Sequence, residues 1–216
     1  MGNLKGTIRC FDDSPSSASI WWGMDYRLAP EEPYPAAVQD ALAVHRAVVD
    51  RGRPVLSQGR ARAPPSPQEV CLYIRDHAGV KPIGQLLISP ALSDTAADDD
   101  AGPLRRADLD ACWAEYLGAG PADSCAAPER AASLEGLPDL HLHHLRRPAP
   151  EEGWRYASRL GADGVEVTAR FLPRGYHGFE YEASEARITQ TAIDERVAAI
   201  RALVRGGEST SERAET

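Results

Sequence analysis

The stretch MDYRLAPEEPYPAAVQDALA, residues 24–43, joins the end of one predicted element to the start of the next. Its first residues complete an apolar and aromatic run over Ala18–Arg27 that is typical of a buried strand. Pro35 then lies in a helix's first turn, where its missing N–H costs no hydrogen bond. Apolar residues follow at helical spacing with His45 on the same face; they are Val38, Ala41, Leu42, Val48 and Val49. Strand, short loop and helix form half of a βαβ unit.

Strands and helices alternate along the rest of the chain. Apolar runs predict strands within 83–92, 136–145 and 165–173. Helical patterns end near Gly79, pass through Trp113 and Tyr116, and cover 151–164 and about 184–205. The last helix has an apolar stripe that we expect to be buried, made of Ile188, Ala192, Ile193, Val197, Ile200, Leu203 and Val204. The alternation predicts an α/β fold with a mostly parallel sheet and helices on both faces.

One domain accounts for nearly all of the sequence. We expect a single α/β domain over residues 1–207, because no internal repeat or linker divides it, and a polar C-terminal tail over 208–216. The block RGRPVLSQGRARAPPSPQEV, residues 51–70, interrupts the pattern with four arginines and four prolines. Pro64, Pro65 and Pro67 argue against a regular helix or a central strand there. We therefore expect irregular structure in this block.

Composition limits the partners and the compartment. The net charge of −8 disfavours a nucleic-acid partner. No run of 18 apolar residues predicts a transmembrane helix, and the N-terminus lacks the apolar core of a secretion signal, so we expect a cytoplasmic protein. The four cysteines are scattered, and His141, His143 and His144 belong to one short segment. These spacings predict no metal site and no cofactor.

Two motifs give the chain a family resemblance. DYRLAPEEPYPAA at residues 25–37 and PRGYHGFE at 173–180 resemble the α/β-hydrolase fold-3 family, the carboxylesterases and lipases of hormone-sensitive-lipase type. The resemblance implies a small ester as substrate or ligand, and a Ser–His–Asp triad acting by acyl transfer. It also implies a serine on a strand-to-helix elbow and an upstream His-Gly-Gly oxyanion motif. No His-Gly-Gly precedes Asp25, so we expect an α/β-hydrolase-type sheet that is incomplete at the N-terminus.

One residue of this sequence matches a triad position of the family directly. His177, in a loop after the last predicted strand, matches the triad histidine. Arg147 falls where the family has its aspartate, and an arginine accepts no imidazole proton. Glu151 is the candidate substitute, the alternative being an acid that favours the start of a helix. Ser57 is the candidate nucleophile, because Gly59 follows it as in half of an elbow; the alternative is a loop serine.

Three functions follow from these residues. The first is a carboxylic-ester hydrolase with a Ser–His–Asp mechanism in which His177 is recognisable. The second is a catalytically dead family member that binds a small ligand or a partner. The third is the product of a mis-spliced or frame-shifted gene, because 51–70 and 141–150 share an Arg-, Pro-, Ala- and His-rich composition. The sequence leaves the oligomeric state open.

Overall fold

A computed structural model describes residues 8–11, 21–60, 66–77, 79–90, 92–94, 106–144, 151–172 and 179–214. Its strands are β1 Ile8–Phe11, β2 Trp21–Met24, β3 Leu56–Arg60, β4 Gly84–Ile88, β5 Leu140–His144 and β6 Val167–Phe171. Its helices are α1 Ala36–Val49, α2 Pro67–His77, α3 Arg106–Leu117, α4 Glu151–Ala162, α5 Phe179–Glu182 and α6 Arg187–Ala214. None of these helices is both long enough and apolar enough to cross a membrane.

The main sheet has four parallel strands in the order β3-β4-β5-β6. α2 follows β3, α3 follows β4 and α4 follows β5. Each of these connections returns the chain to start the next strand in the same direction, as parallel pairing requires. β1 and β2 form a separate antiparallel pair, with Ile8 opposite Met24. The expected α/β fold with a mostly parallel sheet is confirmed.

Helices cover both faces of this sheet. Consecutive strand residues point to opposite faces, and the neighbours Leu87 and Ile88 of β4 belong to different core clusters. Leu87 packs in the cluster that contains Leu72 of α2 and Leu160 of α4. Ile88 packs instead with Phe179 at the start of α5 and with α6. All five residues of β4 are buried, which explains its continuous apolar run.

The block 51–70 contains regular structure, contrary to the expectation from its prolines. β3 occupies 56–60, and α2 already begins at Pro67. The prolines are compatible with both elements because Pro64 and Pro65 follow the end of the strand. Pro67 is the first residue of the helix, where no backbone N–H is needed.

The expected buried stripe of the last helix is partly wrong. Ile193 and Val197 are 41% and 38% exposed, whereas Ala192 is fully buried. The buried side chains one position away include Arg196, whose guanidinium pairs with Glu180. A one-residue shift along a helix rotates the side chain by about 100° around the axis. Because Arg196 packs inward, its apolar neighbour Val197 points towards solvent.

Candidate functional site

Arg27, from the opening stretch, fastens the loop after β2 to α1. Its guanidinium donates two hydrogen bonds of 3.0 and 2.9 Å to the carboxylate of Asp40, and its backbone N–H donates a third of 2.9 Å. A further bond from the guanidinium reaches the carbonyl of Ala36. Burial alone raises the pKa of Asp40, but the hydrogen bonds and charge of Arg27 outweigh it and lower the pKa below its ordinary 3.8. The stretch is therefore scaffold that fixes where α1 begins.

The carboxyl ends of the four parallel strands lie side by side. Arg60 of β3 pairs with Ile88 of β4, and His144 of β5 pairs with Phe171 of β6. Ligand sites of open α/β sheets lie at this edge, because the strand-to-helix connections converge there. The connections after β3, β4, β5 and β6 therefore define the candidate site.

Ser57, the predicted nucleophile, lies inside β3 and not after it. It pairs with Gln85 of β4, and the last residue of the strand is Arg60. Its Oγ lies 3.4 Å from the carbonyl oxygen of Pro67 and also hydrogen-bonds Cys71. The side chain therefore faces α2.

Ser66 occupies the start of the helix that follows β3. Its Oγ donates to Oε1 of Glu69 at 2.6 Å, and its backbone N–H donates to the same oxygen at 3.0 Å. The backbone bond is the reciprocal half of a capping box, Ser-x-x-Glu. Tyr116 of α3 donates its hydroxyl to the other oxygen, Oε2, at 2.6 Å. Ser66 and Glu69 are 1% and 0% exposed.

Ser89, the residue directly after β4, is a feature that sequence reasoning missed. Its φ of 48° lies in the left-handed region, which is uncommon for a residue other than glycine. Its Oγ is buried and has no hydrogen-bond partner within the described part of the chain. A strained backbone and an unsatisfied hydroxyl at the carboxyl edge are both typical of functional positions. The only sequence signal is a serine between a buried strand and Pro90.

The other predicted site residues are less fully placed. His177 lies outside the described residues, between Leu172 after β6 and Phe179 at the start of α5. Arg147 also lies outside them. Glu151 is the first residue of α4, where an acid favours the helix dipole, and only its backbone is described.

A groove of about 600 Å³ lies between α2 and the segment that precedes β5. Arg75, Ser133, Glu135 and Gly136 line it. The Arg75 guanidinium already donates to the carbonyls of Ser133 and Glu135 and to Asp76. None of the lining residues belongs to the four strand-to-helix connections that define the candidate site.

The parallel sheet with helices on both faces defines an α/β fold, which is the architecture of the α/β hydrolases. The chain matches the family described as alpha/beta hydrolase fold over residues 16–65 and 68–181, and it belongs to that family. Within it the chain groups with the carboxylesterases of hormone-sensitive-lipase type.

Named relatives are ester hydrolases. The chain is 36% identical over 179 residues to the carboxylic ester hydrolase LipN of Mycobacterium tuberculosis, covering 72% of this chain and 47% of LipN. A hormone-sensitive lipase from a metagenome library superposes with a TM-score of 0.78 at 25% identity, over 86% of this chain and 67% of that one. The esterase LipW from Mycobacterium marinum gives 0.71 at 26% identity, over 89% and 62%. The chain spans about half the length of LipN.

Proposed function

We propose that this chain binds small carboxylic esters at the carboxyl edge of its sheet and does not hydrolyse them. Its similarity to LipN and LipW, both named as ester hydrolases, supports an ester as the ligand. The ordered parallel strands support a retained scaffold at this edge. The proposal separates the scaffold, which is kept, from the acyl-transfer step, which is lost.

The state of Ser66 carries this proposal. The chain between β3 and α2 reads ARAPPS, so Ser66 holds the one hydroxyl or thiol side chain in this connection. A nucleophile has to reach the ester carbonyl and give its proton to a base. Ser66 is buried and its hydroxyl is bonded to the side chain of Glu69, an arrangement that keeps its Oγ away from a bound ester.

Ser89 supplies a hydrogen bond for the ester in this proposal. A buried hydroxyl without a partner costs about 1–3 kcal/mol, and a carbonyl oxygen accepting from it recovers part of that cost. Its place directly after β4 is one strand away from the β3–α2 connection. We therefore assign Ser89 as a residue that contacts the ligand.

Hydrolysis is the second candidate function. The family match extends to residue 181 and so includes His177, which favours a retained base. Under this reading His177 takes the proton of the nucleophile, with Ser57 as the nucleophile and Glu151 orienting the imidazole. These three roles remain predictions.

Ester binding and turnover are measured together to separate the two candidates. We expect ethyl butyrate to raise the melting temperature of the chain saturably, because a ligand that binds only the native state stabilises it. The shift should shrink in Ser89→Ala and persist in Ser158→Ala, a matched change at an exposed serine on α4. Release of p-nitrophenolate from p-nitrophenyl butyrate should be equal in the parent chain and in His177→Ala. Release at least about tenfold faster in the parent chain would establish the second candidate instead.

A further inference from the structure

Glu69 is a buried carboxyl with no cation among its neighbours in the described part of the chain. It is 0% exposed, and the groups that act on it are the backbone and hydroxyl of Ser66, the hydroxyl of Tyr116 and the charge of Asp123. Tyr26 also faces it, because the charge of Glu69 contributes to raising the pKa of that phenol. None of these described neighbours carries a positive charge, so ionised Glu69 has no ion-pair partner to offset its loss of water.

The protonated form of Glu69 fits this environment better than the ionised form. Burial raises its pKa from the ordinary 4.5 to about 8, although the hydrogen bonds from Ser66 and Tyr116 lower it. The negative charge of Asp123 acts in the same direction as burial. At neutral pH the carboxyl therefore carries a proton. Placed on Oε1, this proton is donated to Oγ of Ser66, which reverses the direction of that bond and leaves Oε2 accepting from Tyr116.

The hydrogen bonds of Glu69 join two helices that are far apart in sequence. Oε1 is hydrogen-bonded to Ser66 at the start of α2, and Oε2 is hydrogen-bonded to the hydroxyl of Tyr116 in α3 at 2.6 Å. Tyr116 also ties α3 to the opening stretch, since its carbonyl accepts the N–H of Tyr34 at 2.7 Å. The ring of Trp113, buried on α3, packs edge to face on Tyr116. Any outward movement of α3 has to break the bond to Glu69.

We propose that Ser66, Glu69 and Tyr116 form a protonation-dependent latch that holds α3 against the start of α2. The latch is closed while Glu69 keeps its proton. Outward movement of α3 hydrates Glu69 and returns it to an ordinary carboxyl. Since the closed state binds the proton more tightly, loss of the proton favours the open state. This device is independent of whether the sheet edge binds an ester, because it lies between helices.

The sign and range of the effect follow from proton linkage. Below pH 4.5 both states keep the proton, and above pH about 8 both have lost it, so pH has no effect in either range. Between these values only the closed state is protonated. Within this range the equilibrium constant for opening of the latch therefore rises by up to about tenfold per pH unit.

Hydrogen–deuterium exchange of α3 tests the latch in the intact chain. We expect the protection factors of 106–117, corrected for intrinsic exchange, to fall from about pH 5 to about pH 8 and then level off. Glu69→Gln, which cannot lose a proton, should remove the slope, while Glu115→Gln on the exposed face of α3 should keep it. Tyr116→Phe should lower protection at every pH, because it removes the bond between the helices and keeps the ring.

Three results would overturn the proposal. They are a flat profile in the parent chain, the same slope in Glu69→Gln, and unchanged protection in Tyr116→Phe. If Glu69→Gln fails to fold, infrared spectroscopy of the parent chain decides. The carbonyl band of a protonated carboxyl, present at neutral pH and lost above about pH 8, supports the latch, and its absence at neutral pH contradicts it.

Discussion

At the scale of single residues, the most specific motif of the chain works as structure. The motif DYR ends in Arg27, and the helix at the other end of the opening stretch contains Asp40. The guanidinium of Arg27 donates to the carboxylate of Asp40 and so joins the two ends. Both side chains are partly exposed, at 39% and 24%, so water weakens their attraction. The contribution of this pair is mainly geometric, because the two-pronged guanidinium bond fixes the direction in which α1 leaves the loop.

Replacement of Asp40 tests this role through pH. Because the pKa of Asp40 is lowered in the folded chain, its stabilising effect is present above pH 3.8 and is lost as pH falls through the folded value. We expect Asp40→Asn to reduce the free energy of unfolding by about 1 kcal/mol at neutral pH. Urea unfolding should show this difference shrink in acid. Glu31→Gln, at an exposed acid of the same stretch, should change stability by less than about 0.5 kcal/mol. A deficit for Asp40→Asn that is constant across pH would contradict the ion pair.

The helix start at Ser66 can be predicted from the sequence, whereas the strained backbone of Ser89 cannot. The sequence Ser-Pro-Gln-Glu contains a capping box with proline at the first helical position, a legible helix start. The surrounding prolines and arginines are typical of irregular structure, and this composition obscures the helix start. The strained Ser89 has no comparable sequence signal, because its φ depends on how β4 meets the following loop.

At the scale of elements, β3 and α2 pack at unusually short range. A Cβ at Gly59 would lie 2.6 Å from Cγ of Pro67, whose ring cannot move aside freely. Gly59 is therefore the residue that lets the strand approach the first turn of α2. The contact holds the junction in which Ser66 is buried.

A matched pair of glycine substitutions tests this packing. Gly59→Ala should lower the free energy of unfolding by about 1–3 kcal/mol through overlap with Pro67. Gly161→Ala, in α4 with nothing within 4 Å of the added Cβ, should leave stability unchanged or raise it by up to about 1 kcal/mol. Thermal unfolding of both variants measures the difference. Equal stabilities would show that β3 and α2 are not packed as described.

Elements differed in how well their sequence patterns predicted them. β4 and α1 were predictable because burial on one or both sides leaves an apolar run or stripe, and both are confirmed. β3 was not, since its short LSQGR has little apolar content and gains its place by pairing with β4. The inward face of α6 was misjudged because Arg196 is paired with Glu180, a tertiary contact that no local pattern encodes.

At the scale of the whole molecule, we propose that the fold of the family is retained without its chemistry. The parallel sheet and the match over 16–65 and 68–181 are those of the α/β hydrolase family. The break in that match at residues 66–67 coincides with the serine that caps α2. The proposed loss of hydrolysis therefore has a local cause. The serine directly before α2 is buried and bonded to Glu69, whereas acyl transfer requires an accessible nucleophile.

Covalent labelling with an alkyl phosphonate ester measures whether the folded chain holds an activated serine. Such esters phosphonylate an activated serine by displacing a leaving group, and the adduct is read as a mass increase of the intact chain. The proposal predicts that the folded chain gains no more label than the same chain with His177→Ala. A stoichiometric adduct on Ser57, Ser66 or another serine that disappears in His177→Ala would contradict the proposal and identify the chain as a working hydrolase.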